Sequence, residues 1–187
     1  MRVIYLAIVS AIILSFGGCF YDDEKLVYKK GRYSSLECHK NDNIEYDIDR
    51  VVVDKSKHKL YLYRGSRVVH KFSISLSRKK GRKLKAGDNR VPEGHYRITR
   101  RRCHSKYYKM VGLSYPNSAD KKRASSRGVY TGSGITIHGQ LFWNANGKGD
   151  RYTLSKDWTR GCISLTNKDM DIFWNSVPKG TPIEIKP

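Results

Sequence analysis

The chain has 187 residues, about the length of one ordinary domain, and 39% of them are hydrophobic, a composition normal for a globular protein. Beyond the first sixteen residues no run is long and apolar enough to cross a bilayer as a helix. Thirty-seven Lys and Arg against 17 Asp and Glu give a formal net charge of +20; such a surface draws nucleic acid, anionic lipid or anionic wall polymers, and charge alone does not choose among them.

Met1-Arg2 is a short positive start, Val3 to Phe16 is nearly all apolar, and Gly17-Gly18-Cys19 leads into the polar run Asp22-Asp23-Glu24-Lys25. This is the shape of a secretory signal. A Cys directly after two small residues resembles a bacterial lipoprotein signal, in which Cys19 becomes the lipidated first residue of the mature chain. Phe16 stands where Leu is usual, which leaves ordinary cleavage open. The competing reading, a buried N-terminal helix, sits badly with the Gly-Gly break. The expectation is an exported chain in the periplasm or cell envelope, held to a membrane by a lipid on Cys19, with no nucleic-acid partner. Residues 1–18 are then the signal, 19–48 a polar tether with a loop, and 49–187 one folded domain.

From Val51 the pattern becomes that of strands. Val51-Val52-Val53 is a short buried run, and Leu60 and Leu62 alternate with Tyr61 and Tyr63. Val68, Phe72, Ile74 and Leu76 share one face, and Gly65-Ser66 between the last two runs is a hairpin turn. Ser77 to Lys85 carries six basic residues in nine, either a solvated loop or an electropositive rim for an acidic substrate. Pro92-Glu93-Gly94 marks a turn before a strand with Tyr96 and Ile98. Residues 100–128 are basic and aperiodic and are expected as a long excursion, a candidate flap. Ile135-Thr136-Ile137-His138-Gly139 is an alternating strand, and 140–158 a second irregular stretch. Met170, Phe173, Trp174 and Val177 fall at helical spacing, with Thr166 three residues before Asp169 as a capping-box-like start and Pro178 as the stop. Ile183 and Ile185 form a last strand. The fold class expected is mainly β, a β-rich α+β domain with one helix near the C-terminal end.

Of the four cysteines, Cys19 belongs to the signal. Cys38 and Cys103 are a candidate disulfide in an oxidising compartment. The dipeptides Cys38-His39 and Cys103-His104 lack the spacing of a zinc site, so no metal is expected. Cys162 has surroundings suited to a nucleophile. Gly161 lets the backbone come close to a substrate, Arg160 adds positive charge, and the N–H groups of Gly161 and Cys162 in a turn can converge on an oxyanion. His138, at a strand end and followed by the small Gly139, is the natural base. His70 falls on an apolar strand face and reads as packing. From the residues alone this pair stands against the alternative of a buried inert Cys and a satisfied His.

Ile135-Thr136-Ile137-His138-Gly139 followed by Thr159-Arg160-Gly161-Cys162-Ile163-Ser164 resembles the signature of the L,D-transpeptidase catalytic domain (YkuD type). Val91-Pro92-Glu93-Gly94-His95-Tyr96, Ser114-Tyr115-Pro116-Asn117 and Asp157-Trp158-Thr159 resemble segments of its YafK-like subgroup, and the likeness covers about residues 50–187. It implies a single β-sandwich or barrel domain over 49–187 that acts on peptidoglycan stem peptides without a cofactor. It assigns Cys162 as nucleophile, His138 as general base, the Gly139 carbonyl as the group orienting His138, and Gly161 as an oxyanion donor. Arg160, Thr159, Ser164, Tyr115 and Trp158 are expected at the substrate. Many members have His in place of Arg160 and Asn or Arg in place of Ser164, and the interval from His138 to Thr159 is longer than in the commonest form. The resemblance implies transfer of an acyl-thioester to an amine, by crosslinking or attachment of a protein. Two alternatives stay open: a hydrolase on the same fold, for example one releasing a wall-attached lipoprotein, and a non-catalytic wall or polyanion binder.

Overall fold

Three consecutive valines leave a backbone few options besides a strand buried on both faces, because β-branched side chains are stiff and have nowhere polar to point. In the computed structural model, which describes residues 28–29, 32–33, 48–141 and 149–187, they form the heart of β3 (Arg50–Asp54), with Val51 and Val53 fully buried. The chain then runs into β4 (Lys59–Arg64) and, across the Gly65-Ser66 turn, β5 (Arg67–Ser73). Next come β6 (Gly94–Ser105), β7 (Tyr108–Leu113), α1 (Ser118–Ser125), β8 (Thr136–His138), α2 (Gly149–Leu154), β9 (Ile163–Ser164), α3 (Asn167–Ser176) and β10 (Pro182–Lys186). Ahead of these, β1 (Tyr28–Lys29) and β2 (Arg32–Tyr33) pair as a small hairpin within the segment expected as a tether. The expected signal, Cys19 and Cys38 lie outside the described residues. Among the described residues no helix is long and apolar enough to cross a membrane.

Eight strands make one mixed sheet in the order β5-β4-β3-β10-β6-β7-β8-β9. The last strand, β10, enters its middle, parallel to β3 and antiparallel to β6. The sheet curls until its edges meet. Just beyond β5, Ser75 exchanges two backbone bonds with Ser164 of β9, at 2.9 and 2.8 Å, and Ser77 bridges to Thr159. Closure of this kind removes exposed strand edges, and here it carries the segment before Cys162 to its place. Helix α3 begins at Thr166, whose hydroxyl accepts from Asp169 N, and its buried side chains Met170, Phe173 and Trp174 seat it in the core.

Three differences from the expectation have physical causes. Val68 is 42% exposed, because a bulge at Leu62/Tyr63 shifts the β4–β5 register and turns it outward. The stretch 100–128 is largely regular: β6 and β7 form a hairpin whose two bulges erase the period-two signal, and α1 is a polar helix burying only Asp120 and Ala124. The stretch 140–158 contains the short α2.

Helix α1 is held by its first turn. Asn117 and Asp120 form a reciprocal capping box, and the buried Asp120 also accepts from the Tyr96 hydroxyl at 3.0 Å and from Arg123. Burial and the facing carboxylate push the Tyr96 phenol well above its ordinary range. Asp120→Ala should therefore cost about 1–3 kcal/mol, since it leaves a buried hydroxyl and a guanidinium unpaired. Denaturant unfolding checks this, and a loss below half a kcal/mol would show the network to be dispensable.

Candidate active site

Strand alternation puts Ile135 and Ile137 into the core and leaves Thr136 and His138 on the opposite face of β8. Cys162 reaches that face from the turn 159–162, just before β9, which runs parallel to β8. The Thr136 hydroxyl donates to Cys162 Sγ at 3.3 Å, and His138 lies near enough to the same sulfur to lower its pKa. Burial pushes the thiol up. The hydrogen bond and charge of His138, joined by the Thr136 bonds, more than offset it and hold the pKa at about 7, against an ordinary 9.0.

His138 is 2% exposed, and its Nδ1 lies 2.7 Å from the Gly139 carbonyl. With Nδ1–H donating there, Nε2 is the nitrogen left to face the thiol. Gly139 is small for a packing reason: a Cβ there would come within 2.7 Å of Asn167 Oδ1 and 3.0 Å of Tyr108 Cβ. Asn167, the first residue of α3, accepts from Gln140 N at 2.8 Å, so the helix start fixes the chain just after the histidine.

The turn bearing Cys162 is braced from inside. Thr159 is buried; its hydroxyl donates to Cys162 O at 2.7 Å and accepts from Gly161 N at 3.3 Å. Gly161 has φ +121, and a Cβ on it would sit 2.9 Å from the Arg90 carbonyl. Arg90 is positioned by Asp88, which accepts from the N–H groups of Leu84, Lys85 and Arg90 and forms a buried ion pair with Lys83 at 2.9 Å. The basic run is therefore partly internal scaffolding: Lys83 is buried and paired, while Arg78, Lys79, Lys80 and Lys85 stay exposed.

The residues expected at the substrate divide. Trp158 stands at the site, edge-on to His138 with centroids 5.6 Å apart, and its indole N–H is buried without a partner among the described residues. Arg160 is exposed and makes no ion pair among the described residues. Ser164 is fully buried, its hydroxyl 3.4 Å from Gly139 O, and Thr159 faces inward as described; both brace the site. Tyr115 is 6% exposed, donates to Thr131 O and meets Tyr96 edge-on, so it packs in the core. Gly161 N–H is directed to Thr159 rather than standing free, and Cys162 N–H has no partner among the described residues.

Two neighbours were missed. Thr136 stands two residues before His138 on an alternating strand, a spacing that puts both on one face and was open to inspection. Tyr107, in the β6–β7 turn, stacks on the His138 ring with centroids 4.4 Å apart, and nothing in the aperiodic sequence around it announces that contact. The same hairpin carries Cys103, which is disulfide-bonded, while Cys162 is a free thiol.

The chain matches the L,D-transpeptidase catalytic domain (YkuD) over residues 48–185, and it belongs to that family. The Escherichia coli K12 protein YafK, whose name assigns it provisionally as an L,D-transpeptidase, is 27% identical over 99 residues, 52% of this chain and 32% of its own length. Two solved structures are 24% identical. The helical cell shape determining protein Pgp2 of Campylobacter jejuni has a TM-score of 0.58, covering 76% of this chain and 48% of that one. Bd1075 of Bdellovibrio bacteriovorus has a TM-score of 0.52, covering 75% and 48%. At these identities the likeness shows the fold alone, and this chain spans about half the length of either structure.

Proposed function

We propose that this chain is a cysteine-dependent L,D-transpeptidase that opens a peptidoglycan stem peptide after its third residue and passes the acyl group to an amine. The observation that carries the reading is the thiol of Cys162, held at about 7 by an imidazole that is itself oriented through Nδ1. The Cys162 proton moves to His138 Nε2 and the thiolate attacks the scissile carbonyl. Cys162 N–H, joined by Gly161 N–H once it turns from Thr159, stabilises the oxyanion. The imidazolium returns its proton to the departing amine, leaving a thioester on Cys162. An incoming amine then attacks the thioester carbonyl, loses its proton to His138, and the sulfur leaves as thiolate. The exposed Arg160 guanidinium is a group a bound peptide can use. The N-terminal run ending at Cys19 supports an exported chain, anchored by lipid at the cell envelope where this substrate lies.

The test is mass spectrometry of defined muropeptides incubated with the chain, beside a Cys162→Ala control. The expected products are dimers joined between two third-position residues, absent from the control. Shortened stems without dimers would replace transfer by hydrolysis, and products made equally by the control would overturn the cysteine mechanism.

A further inference from the structure

Three arginines in a row on β6 have different fates. Arg101 points inward: its guanidinium lies over the Trp174 ring, 4.1 Å from the centroid, and donates to the carbonyls of Val177 and Trp174 at the end of α3. Arg100 and Arg102 are exposed, and neither forms an ion pair among the described residues. With Met110 and Gly112 of β7 they line a pocket of about 190 Å³.

Register places that pocket beside the reacting groups. Arg102 lies opposite Met110 and Met110 opposite His138; Gly112 lies opposite Thr136. Directly paired residues project from the same face, so Arg102, Met110 and His138 form one row across three strands. With neighbouring strands about 4.8 Å apart, Arg102 sits about 10 Å from His138 along that row, the length of roughly three extended residues. Arg100 reaches the same face one row along, through the bulge, where the register slips between Ile98 and Arg101 and sets both Thr99 and Arg100 against Gly112. Gly112 leaves the room for it: a Cβ there would lie 2.7 Å from Thr99 Oγ1 and 3.1 Å from Arg100 Cγ.

We infer that this pocket is a carboxylate subsite: Arg100 and Arg102 bind an acidic group of the peptide held at Cys162, a few residues from its scissile carbonyl. The inference rests on the transpeptidase reading for the identity of that peptide. Two unpaired guanidiniums facing one pocket suit planar, bidentate recognition of a carboxylate. Because the pocket lies on the face of the sheet that carries His138, its occupant is part of the peptide held there.

The experiment titrates Cys162→Ala, which cannot turn over, with a synthetic tetrapeptide stem and with derivatives in which one carboxylate at a time is a primary amide. The free-acid stem should bind about tenfold to a hundredfold more tightly than at least one amide. Adding Arg100→Gln and Arg102→Gln together should abolish that difference, Arg→Lys at both positions should restore part of it, and Arg78→Gln on the exposed loop should leave it intact. Equal affinities for acid and amides, or a preference that survives the double Gln change, would overturn the subsite. So would a preference lost equally in Arg78→Gln, which would assign it to the general positive field. Selective binding together with no turnover by the parent chain would overturn the transpeptidase reading and leave the subsite standing.

Discussion

His138→Gln is expected to lower turnover at least about a hundredfold, the ordinary contribution of a general base, and to shift the reactivity of the nucleophile upward in pH. The sign follows from the forces on Cys162. Burial raises its pKa, and the hydrogen bond and charge of His138 are the main opposing influences, with Thr136 a smaller one. In the parent chain the thiolate fraction climbs as pH rises through about 7, so alkylation by iodoacetamide should inflect there and level off above it. In His138→Gln burial remains and the main opposing influence is gone, so the inflection moves up toward or beyond the ordinary thiol value. Alkylation rates followed by intact mass from pH 5 to 10 make the comparison. An unchanged inflection near 7 in the variant would remove His138 from the account of the thiol.

Gly161→Ala carries the second large effect. Its φ of +121 is a conformation that an alanine adopts only under strain, of order 1–3 kcal/mol. The added Cβ also meets the Arg90 carbonyl at 2.9 Å, and that backbone is pinned through Asp88. Relief requires movement of the 159–162 turn, which holds the nucleophile. A displacement of about 1 Å can cost a hundredfold in rate. The variant should therefore melt lower by several degrees and lose roughly two orders of magnitude in kcat/KM. Full activity at the parent's melting temperature would contradict the assigned geometry.

The sequence was informative where a local pattern and tertiary burial agree. The three valines of β3, the helical spacing of Met170, Phe173, Trp174 and Val177, and the alternation ending at His138 all survive because packing reinforces them. It was silent on β6 and β7, where bulges break the alternation, and on α1, which rests on a capping box and one buried aspartate rather than an apolar stripe. At the site, residue type and spacing marked Cys162 and His138 as a candidate pair, and the family resemblance supplied their expected roles. They did not say which way the side chains of Thr159, Ser164 and Tyr115 turn, since that depends on how the sheet closes and how the braced turn is threaded. Tyr107 owes its place over His138 to a hairpin that sequence alone did not reveal. The basic run Ser77–Lys85 shows the same dependence, because Lys83 is buried by a partner, Asp88, five residues along.

In the proposed reaction Cys162 carries the acyl group. Intact-protein and peptide mass spectrometry after brief incubation with a tetrapeptide stem, quenched in acid to preserve a thioester, tests it most directly. The expected result is an adduct of the stem's acyl mass on the peptide containing Cys162, absent in Cys162→Ala and discharged by an added amine. Turnover of the stem without any adduct on Cys162, or an adduct that persists in Cys162→Ala, would contradict it.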